Sequence, residues 1–160
     1  MQRNTQARIL VVTVLLGTLG VGLARKGVRS EGAASPATVE EAISASICGT
    51  TNAARAGDAG RYLAGYTGPM RAALQRELDD GGAASFARYL RSLDVGVKGL
   101  AVWVESIGEQ EAKARVEYVY EDRNNVQVVH LEKERGAWRI VRTEGDQIVK
   151  AAIPYGTPIR

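Results

Sequence analysis

The aromatic residues are the side chains of this sequence whose type and spacing best suit a binding site. Six of them fall in elements that are predicted below to form one domain: Tyr62, Tyr66, Tyr89, Trp103, Tyr118 and Tyr120. If they converge, they line an apolar cavity whose wall carries phenolic hydroxyls. The sequence therefore predicts a site for a small apolar ligand. The alternative is a filled core, in which these residues serve packing alone.

Carboxylates in the predicted strands are the candidates for acid–base chemistry. They are Glu105, Glu117 and Glu121. Neighbouring side chains of a strand point to opposite faces, so Glu117 and Glu121 lie on the face away from Tyr118 and Tyr120. With the tyrosines pointing inward, these glutamates form a solvated sheet face, and we predict no catalytic residue among them.

Histidine and cysteine each occur once, at His130 and Cys48. These 160 residues therefore hold no multi-histidine or multi-cysteine metal site and no internal disulfide. We expect His130 on the strand face opposite Leu131. Cys48 falls on the polar side of the first helix, where it either pairs with a thiol of another chain or is covered by a neighbouring segment. The sequence predicts a protein that is not an enzyme and takes no metal or cofactor.

Charge is divided unevenly along the chain. The formal net charge is +3, from 21 Lys and Arg against 18 Asp and Glu. Five basic residues precede residue 30, where there is no acidic one: Arg3, Arg8, Arg25, Lys26 and Arg29. The remaining 16 basic and 18 acidic residues give −2 from Ser30 onward. A domain with that balance lacks the basic surface that nucleic acid requires, so we expect no nucleic-acid partner.

The basic N-terminal part encloses an uncharged apolar run at residues 9–24. A basic segment followed by an apolar run is typical of export signals. The run is slightly shorter than the roughly 20 residues of a spanning helix, although flanking Arg and Lys can extend it. We predict an anchor or signal at 1–26 and a flexible linker at 27–37. The domain is then extracytoplasmic on a single-pass membrane anchor, or secreted if the small residues at 22–24 are cleaved.

From Thr38 the chain is predicted to be helical. Thr38 and Glu41 form a capping box, apolar residues recur at helical spacing to about residue 56, and Gly57 ends the helix. Asp58 is placed to cap a short second helix that carries tyrosines. Two further apolar stripes predict two more helices, the first at Met70, Leu74 and Leu78, the second at Phe86, Tyr89, Leu90 and Leu93.

From Asp94 the hydrophobic period becomes that of strands. Residues 95–107 are rich in β-branched side chains, with Gly96 and Gly99 suited to a bend or bulge. Alternation predicts a strand over 112–120 after a turn at 108–110. A hairpin turn at 122–125, strands at 126–134 and 138–141, and an irregular tail at 151–160 complete the prediction. Helices followed by antiparallel strands indicate an α+β domain at 38–150.

Two short motifs carry a resemblance to a known family. They are A-R-A-G-D at residues 54–58 and L-E-K-E-R-G-A-W-R-I at residues 131–140. With the order of elements, they resemble the nuclear transport factor 2-like superfamily, which includes SnoaL-like and ketosteroid-isomerase-like proteins, over about residues 38–145. The resemblance implies a cone, a strongly bent sheet wrapped around the first helix, often with an apolar pocket. No catalytic motif of the enzymatic members matches here position by position.

Three functions follow, in order of preference. The first is a membrane-tethered, non-enzymatic module that binds a partner protein or assembles an envelope complex, because an anchor and linker precede a domain without catalytic groups. The resemblance agrees, since cone domains behind one anchor occur in secretion-channel assembly factors and Mce-associated membrane proteins, often as homodimers through the open sheet face. The second is a binder of small apolar ligands. The third is an isomerase or dehydratase with an inward-facing carboxylate.

Overall fold

The first helix begins and ends where its capping residues predict. The structure, a computed structural model, describes residues 10–11 and 38–150. The Thr38 hydroxyl accepts a hydrogen bond from the Glu41 backbone N–H at 3.2 Å, and the Glu41 carboxylate accepts one from the Thr38 N–H at 2.8 Å. Helix α1 runs over Val39–Ala56 and stops at Gly57, whose φ of 69° is left-handed.

Three shorter helices follow α1. They are α2 (Ala59–Ala64), α3 (Gly68–Gly81) and α4 (Ala83–Leu93). Asp58 caps α2 as predicted, accepting a hydrogen bond from the Arg61 N–H at 3.0 Å. Tyr66, predicted on this second helix, lies beyond its end and forms a parallel bridge to Ile140. The predicted stripe of α3 packs against the core, whereas in α4 Tyr89 remains largely exposed.

An antiparallel sheet forms the second half of the domain, with its strands side by side in chain order. They are β1 (Leu10–Val11), β2 (Gly99–Ile107), β3 (Glu111–Val119), β4 (Arg123–Glu134) and β5 (Ala137–Lys150). The predicted fold class, helices followed by a bent antiparallel sheet, is therefore confirmed.

Strand boundaries differ from the predicted ones in three places. Strand β2 starts at Gly99, because residues 94–96 turn and Gly96 has a φ of 84°. Strand β4 starts at Arg123, so the predicted turn at 122–125 is wrong and the chain reverses at 120–122 instead. Strand β5 continues past the predicted end at 141, because the polar residues 142–150 pair with the start of β4.

Register shifts bend the sheet. The pairing of β2 with β3 shifts between Val104 and Ser106, which leaves Glu105 as the extra residue. The pairing of β4 with β5 shifts twice, near Gln127 and at the step from His130 to Leu131. Such bulges bend a strand and increase its twist. The bulge in β2 is thus at Glu105, whereas Gly96, predicted to suit a bend or bulge, lies in the turn before the strand.

The domain core lies between α1 and one face of this sheet, here called the inner face. Ile43 and Ile47 of α1 are 0% and 2% exposed. Alternate strand residues face them, as the alternation of β3 predicts: Val102, Ala112, Ala114, Val116, Val129, Leu131, Trp138 and Ile140. Two residues of α1 differ from the predicted pattern. Ser44 is buried beside the apolar stripe, and Val39, in the first turn, is largely exposed.

Of the predicted hydrophobic helix that forms the anchor or signal at 1–26, only residues 10–11 are described, and they form strand β1 against β2 and not a helix. The predicted linker at 27–37 and the tail at 151–160 lie outside the described residues. Among the helices between residues 38 and 150, none combines the length and the apolar character that crossing a membrane would require.

Candidate functional site

Five of the six predicted aromatic residues meet around one cavity. It lies between the helices and one end of the inner face and has a volume of about 380 Å³. Its tyrosines come from different elements: Tyr62, Tyr66, Tyr89, Tyr118 and Tyr120. That volume lies within the range of small-molecule sites, so the domain is hollow at this end.

Trp103 does not belong to the cavity, and its predicted place there is wrong. Its neighbour Val102 is buried on the inner face opposite Val116, so the indole points to the other side, here called the outer face. There the Arg115 guanidinium lies 4.8 Å from the ring centroid. Both sets of alternate residues in strand β2 are apolar, so its sequence does not tell which set points inward. Only the pairing of β2 with β3 decides it.

Two buried tyrosines form the back of the cavity. The Tyr66 hydroxyl donates a hydrogen bond to the Tyr62 hydroxyl at 2.9 Å, and the rings lie 4.9 Å apart at 58°. Burial raises the pKa of both phenols, and it raises the pKa of Tyr118 to about 12. The tyrosines therefore offer hydroxyls and aromatic surface but no charge at neutral pH.

Hydroxyl and carboxamide groups complete the wall, and the sequence reasoning missed them. They are Thr50, Thr51, Asn125, Gln127 and Thr143. Asn125 and Gln127 occupy the two inward positions of β4 that precede Val129. The Asn125 Oδ1 is buried without a hydrogen-bond partner in the described part of the chain. Residues 125, 127, 129 and 131 follow the alternation of a strand, and this pattern could have placed Asn125 and Gln127 on the inner face. The turn predicted at 122–125 left Asn125 outside the strand.

Asp94 is the carboxylate in the cavity wall. Its side chain is 10% exposed. Arg55 donates two hydrogen bonds to its carboxylate, from Nε to Oδ2 and from Nη2 to Oδ1, the second at 3.2 Å. Hydrogen bonding to Asp94 raises the pKa of Arg55, so the guanidinium stays charged. Asp94 is thus already neutralised by a residue of α1.

None of the three predicted candidate carboxylates lines this cavity. Glu105 and Glu121 are exposed, as predicted. Glu117 lies on the outer face, but its side chain is only 16% exposed, so the prediction of full solvation is wrong for it. Arg115, at 3.2 Å, and the Asn124 amide donate hydrogen bonds to its carboxylate.

The outer face carries further contacts between basic residues and carboxylates. The Lys113 Nζ lies 3.1 Å from Glu105, and the His130 Nε2 lies 3.3 Å from Glu144. Arg142 also contacts Glu144. His130 is opposite the buried Leu131, as predicted. A depression of about 350 Å³ at the bulged end of this face contains both cations and carboxylates, which compensate one another.

Cys48 is half-buried on α1 and packs against the core. Burial raises the pKa of its thiol, so the reactive thiolate is disfavoured. The structure therefore agrees with the covered alternative. No group of three or more potential metal ligands occurs in the residues described.

Comparisons with known proteins give little further guidance. No protein-family model matches the chain, and no curated protein matches it. Among solved structures, it is similar to one described as a calcium/calmodulin dependent protein kinase II association domain from Xanthomonas campestris. The two share 17% identity at a TM-score of 0.37, over 70% of this chain and 90% of that one. That degree of likeness assigns no family, and the fold class rests on the helices and strands described above.

Proposed function

We propose that this chain is a non-enzymatic protein-interaction module whose outer face binds a second copy of the chain. The observation that carries the proposal is the uncovered outer face, because the described helices contact one another, the inner face or β5. Trp103, with Arg115 stacked on it, stands on that face. Tryptophan and arginine are enriched in the residues that dominate binding energy. The superfamily resemblance also supports association through the sheet.

A second copy is the proposed partner because the outer face is self-complementary. Three pairs of opposite charge lie on it: Lys113 with Glu105, Arg115 with Glu117, and Arg142 with Glu144. A two-fold axis through such a face can bring each sign opposite the other. Pairing would also cover the half-buried Val126 and Val128. A partner with one dominant charge would repel the residues of the same sign, which are half of this set.

The test is the mass of the full chain, purified in a mild detergent, by native mass spectrometry across a dilution series. We expect a dimer that Trp103→Ala weakens about 30-fold or more, the effect of losing a central aromatic anchor. Arg115→Glu should weaken it as well, while Arg88→Glu, at an exposed position of α4, should not. A monomer at all concentrations, or a dimer indifferent to Trp103→Ala, would contradict the proposal.

The proposal includes tethering and export. Although Leu10 and Val11 pair with β2, the uncharged apolar run at 9–24, with basic residues before and after it, supports a membrane anchor that holds the domain on the extracytoplasmic side. Protease added outside intact cells should remove the domain, and N-terminal sequencing should find an uncleaved start. Protection from the protease would contradict export. A mature N-terminus near residue 25 would show that the segment is a cleaved signal and not an anchor.

A ligand-binding function is the second candidate, favoured by a different observation. The hollow end of the domain has the volume and the aromatic lining of a small-molecule site. A thermal-shift screen of neutral compounds against the full chain tests it, with about 2.7 kcal/mol of stabilisation expected at a ligand concentration 100 times Kd. Tyr89→Ala at the mouth should reduce the shift, and Val95→Ala, exposed and outside the wall, should not. A screen without a single shift would contradict this function.

A further inference from the structure

We infer that the cavity takes a neutral, flat molecule with an amide-like edge, that is, an N–H beside a C=O. The inference rests on the ligand-binding function proposed above and changes the predicted ligand class, which was simply apolar. Three features of the wall support it: its charge balance, the origin of its rings and its two carboxamides.

Charge balance excludes an ionised ligand. Burial keeps the hydroxyls of Tyr62, Tyr66 and Tyr118 neutral, and the Asp94 carboxylate is already paired with Arg55. A charged ligand would therefore enter without a counter-charge, and an unpaired buried charge is strongly unfavourable. An ammonium group is the nearest competitor, because tyrosine rings attract cations. It would have to compete with Arg55 for Asp94.

Rings from three separate elements favour a flat body. Tyr62 projects from α2, Tyr89 from α4 and Tyr118 from β3, and all three line the same space. The Tyr62 ring is held by contacts with Tyr66 and Phe86, with centroids at 4.9 Å and 6.3 Å. Rings fixed in this way bind a planar apolar surface by stacked or edge-to-face contact.

Two carboxamides on the inner face are the groups that would pair with the amide-like edge of the ligand. Asn125 and Gln127 each carry an acceptor and a donor, and the Asn125 oxygen has no partner in the described residues. Rotation of an amide by half a turn exchanges its oxygen and nitrogen, so it can pair with an N–H beside a C=O in either orientation. A purely apolar ligand would leave the Asn125 oxygen unpaired at the wall. A ligand with both functions satisfies both carboxamides.

The test measures Kd of the full chain for five probes by ligand-observed NMR. They are 2-quinolone, which has the amide edge; coumarin, in which ring oxygen replaces the N–H; naphthalene; 2-naphthoate; and N-methylquinolinium. We expect 2-quinolone to bind about tenfold more tightly than coumarin or naphthalene, the effect of one paired polar group. Neither ion should bind.

Variants locate the discrimination. Gln127→Met and Asn125→Leu keep approximately the side-chain volume and remove the carboxamide, so each should lower 2-quinolone affinity about tenfold without weakening naphthalene. Gln147→Met is the matched control, because Gln147 is exposed and in register with the outward Val126. Unchanged 2-quinolone affinity in both carboxamide variants would overturn the assigned edge.

The outcomes separate this inference from the function beneath it. Naphthalene or either ion binding as tightly as 2-quinolone overturns the ligand class and keeps the cavity as a binding site. Failure of every probe to bind below about 1 mM, together with a library screen without a shift, overturns both. Preference for 2-quinolone that is lost in the carboxamide variants supports both.

Discussion

The two ends of the inner face use the same strands and the same alternation for opposite purposes. At the closed end, Ala112 and Leu131 join Ile43 of α1 in a core without appreciable exposure. At the open end, Tyr118 and Gln127 on the same two strands face a cavity. Small residues let a helix approach the sheet, whereas at the open end the Asn125 Oδ1 has no hydrogen-bond partner among the described residues. The closed end therefore contributes most of the packing, and the open end leaves a cavity.

The closed end should tolerate truncation least. Leu131 is 1% exposed, and Leu131→Ala removes its contacts and leaves a cavity in the core. We expect a loss of about 3 kcal/mol in the free energy of unfolding, within the range of such substitutions. Urea denaturation followed by circular dichroism measures it. A loss below about 1 kcal/mol would show that the closed end is not the stabilising region.

The open end should make stability sensitive to alkaline pH through Tyr118. The pKa of this phenol is raised to about 12, from an ordinary value of 10.0, so the folded state favours its neutral form. Its stabilising contribution, on the order of 2 to 3 kcal/mol, is complete below about pH 10 and is lost as pH rises through about 12.

The variant Tyr118→Phe isolates this contribution, because both proteins share all other alkaline titrations. Urea denaturation at intervals between about pH 9 and pH 12 should show a smaller decline for the variant. Parallel curves for the two proteins would show that the Tyr118 phenol is in contact with solvent in the folded state, and would contradict this pH dependence of the open end.

The smallest effect should come from Gln127→Met. It removes a carboxamide from the cavity wall and adds apolar surface, so we expect a change in unfolding free energy of less than about 1 kcal/mol, or a slight gain. Leu131→Asn, at an inward position of β4 outside the cavity wall, should cost more, because Leu131 is 1% exposed and belongs to the hydrophobic core. Equal losses of unfolding free energy for the two variants would contradict the proposed difference between the two ends.

Local chemistry determined much of this protein from the sequence alone. The capping box at Thr38 and the Gly57 stop needed only nearby residues, and the alternation of β3 fixed the relative orientation of its side chains. The order of helices and strands then gave the fold class. These features follow from interactions between residues close in sequence, which periodicity reports directly.

Tertiary structure decided the rest, because alternation does not tell which face of a strand meets the core. Trp103 points outward because its neighbour Val102 pairs with Val116, a contact between strands. Asn125 and Gln127 reach the cavity because β4 begins earlier than its apolar run and pairs with the long polar end of β5. The site joins rings from α2, α4 and β3, and only packing brings residues so distant in sequence together.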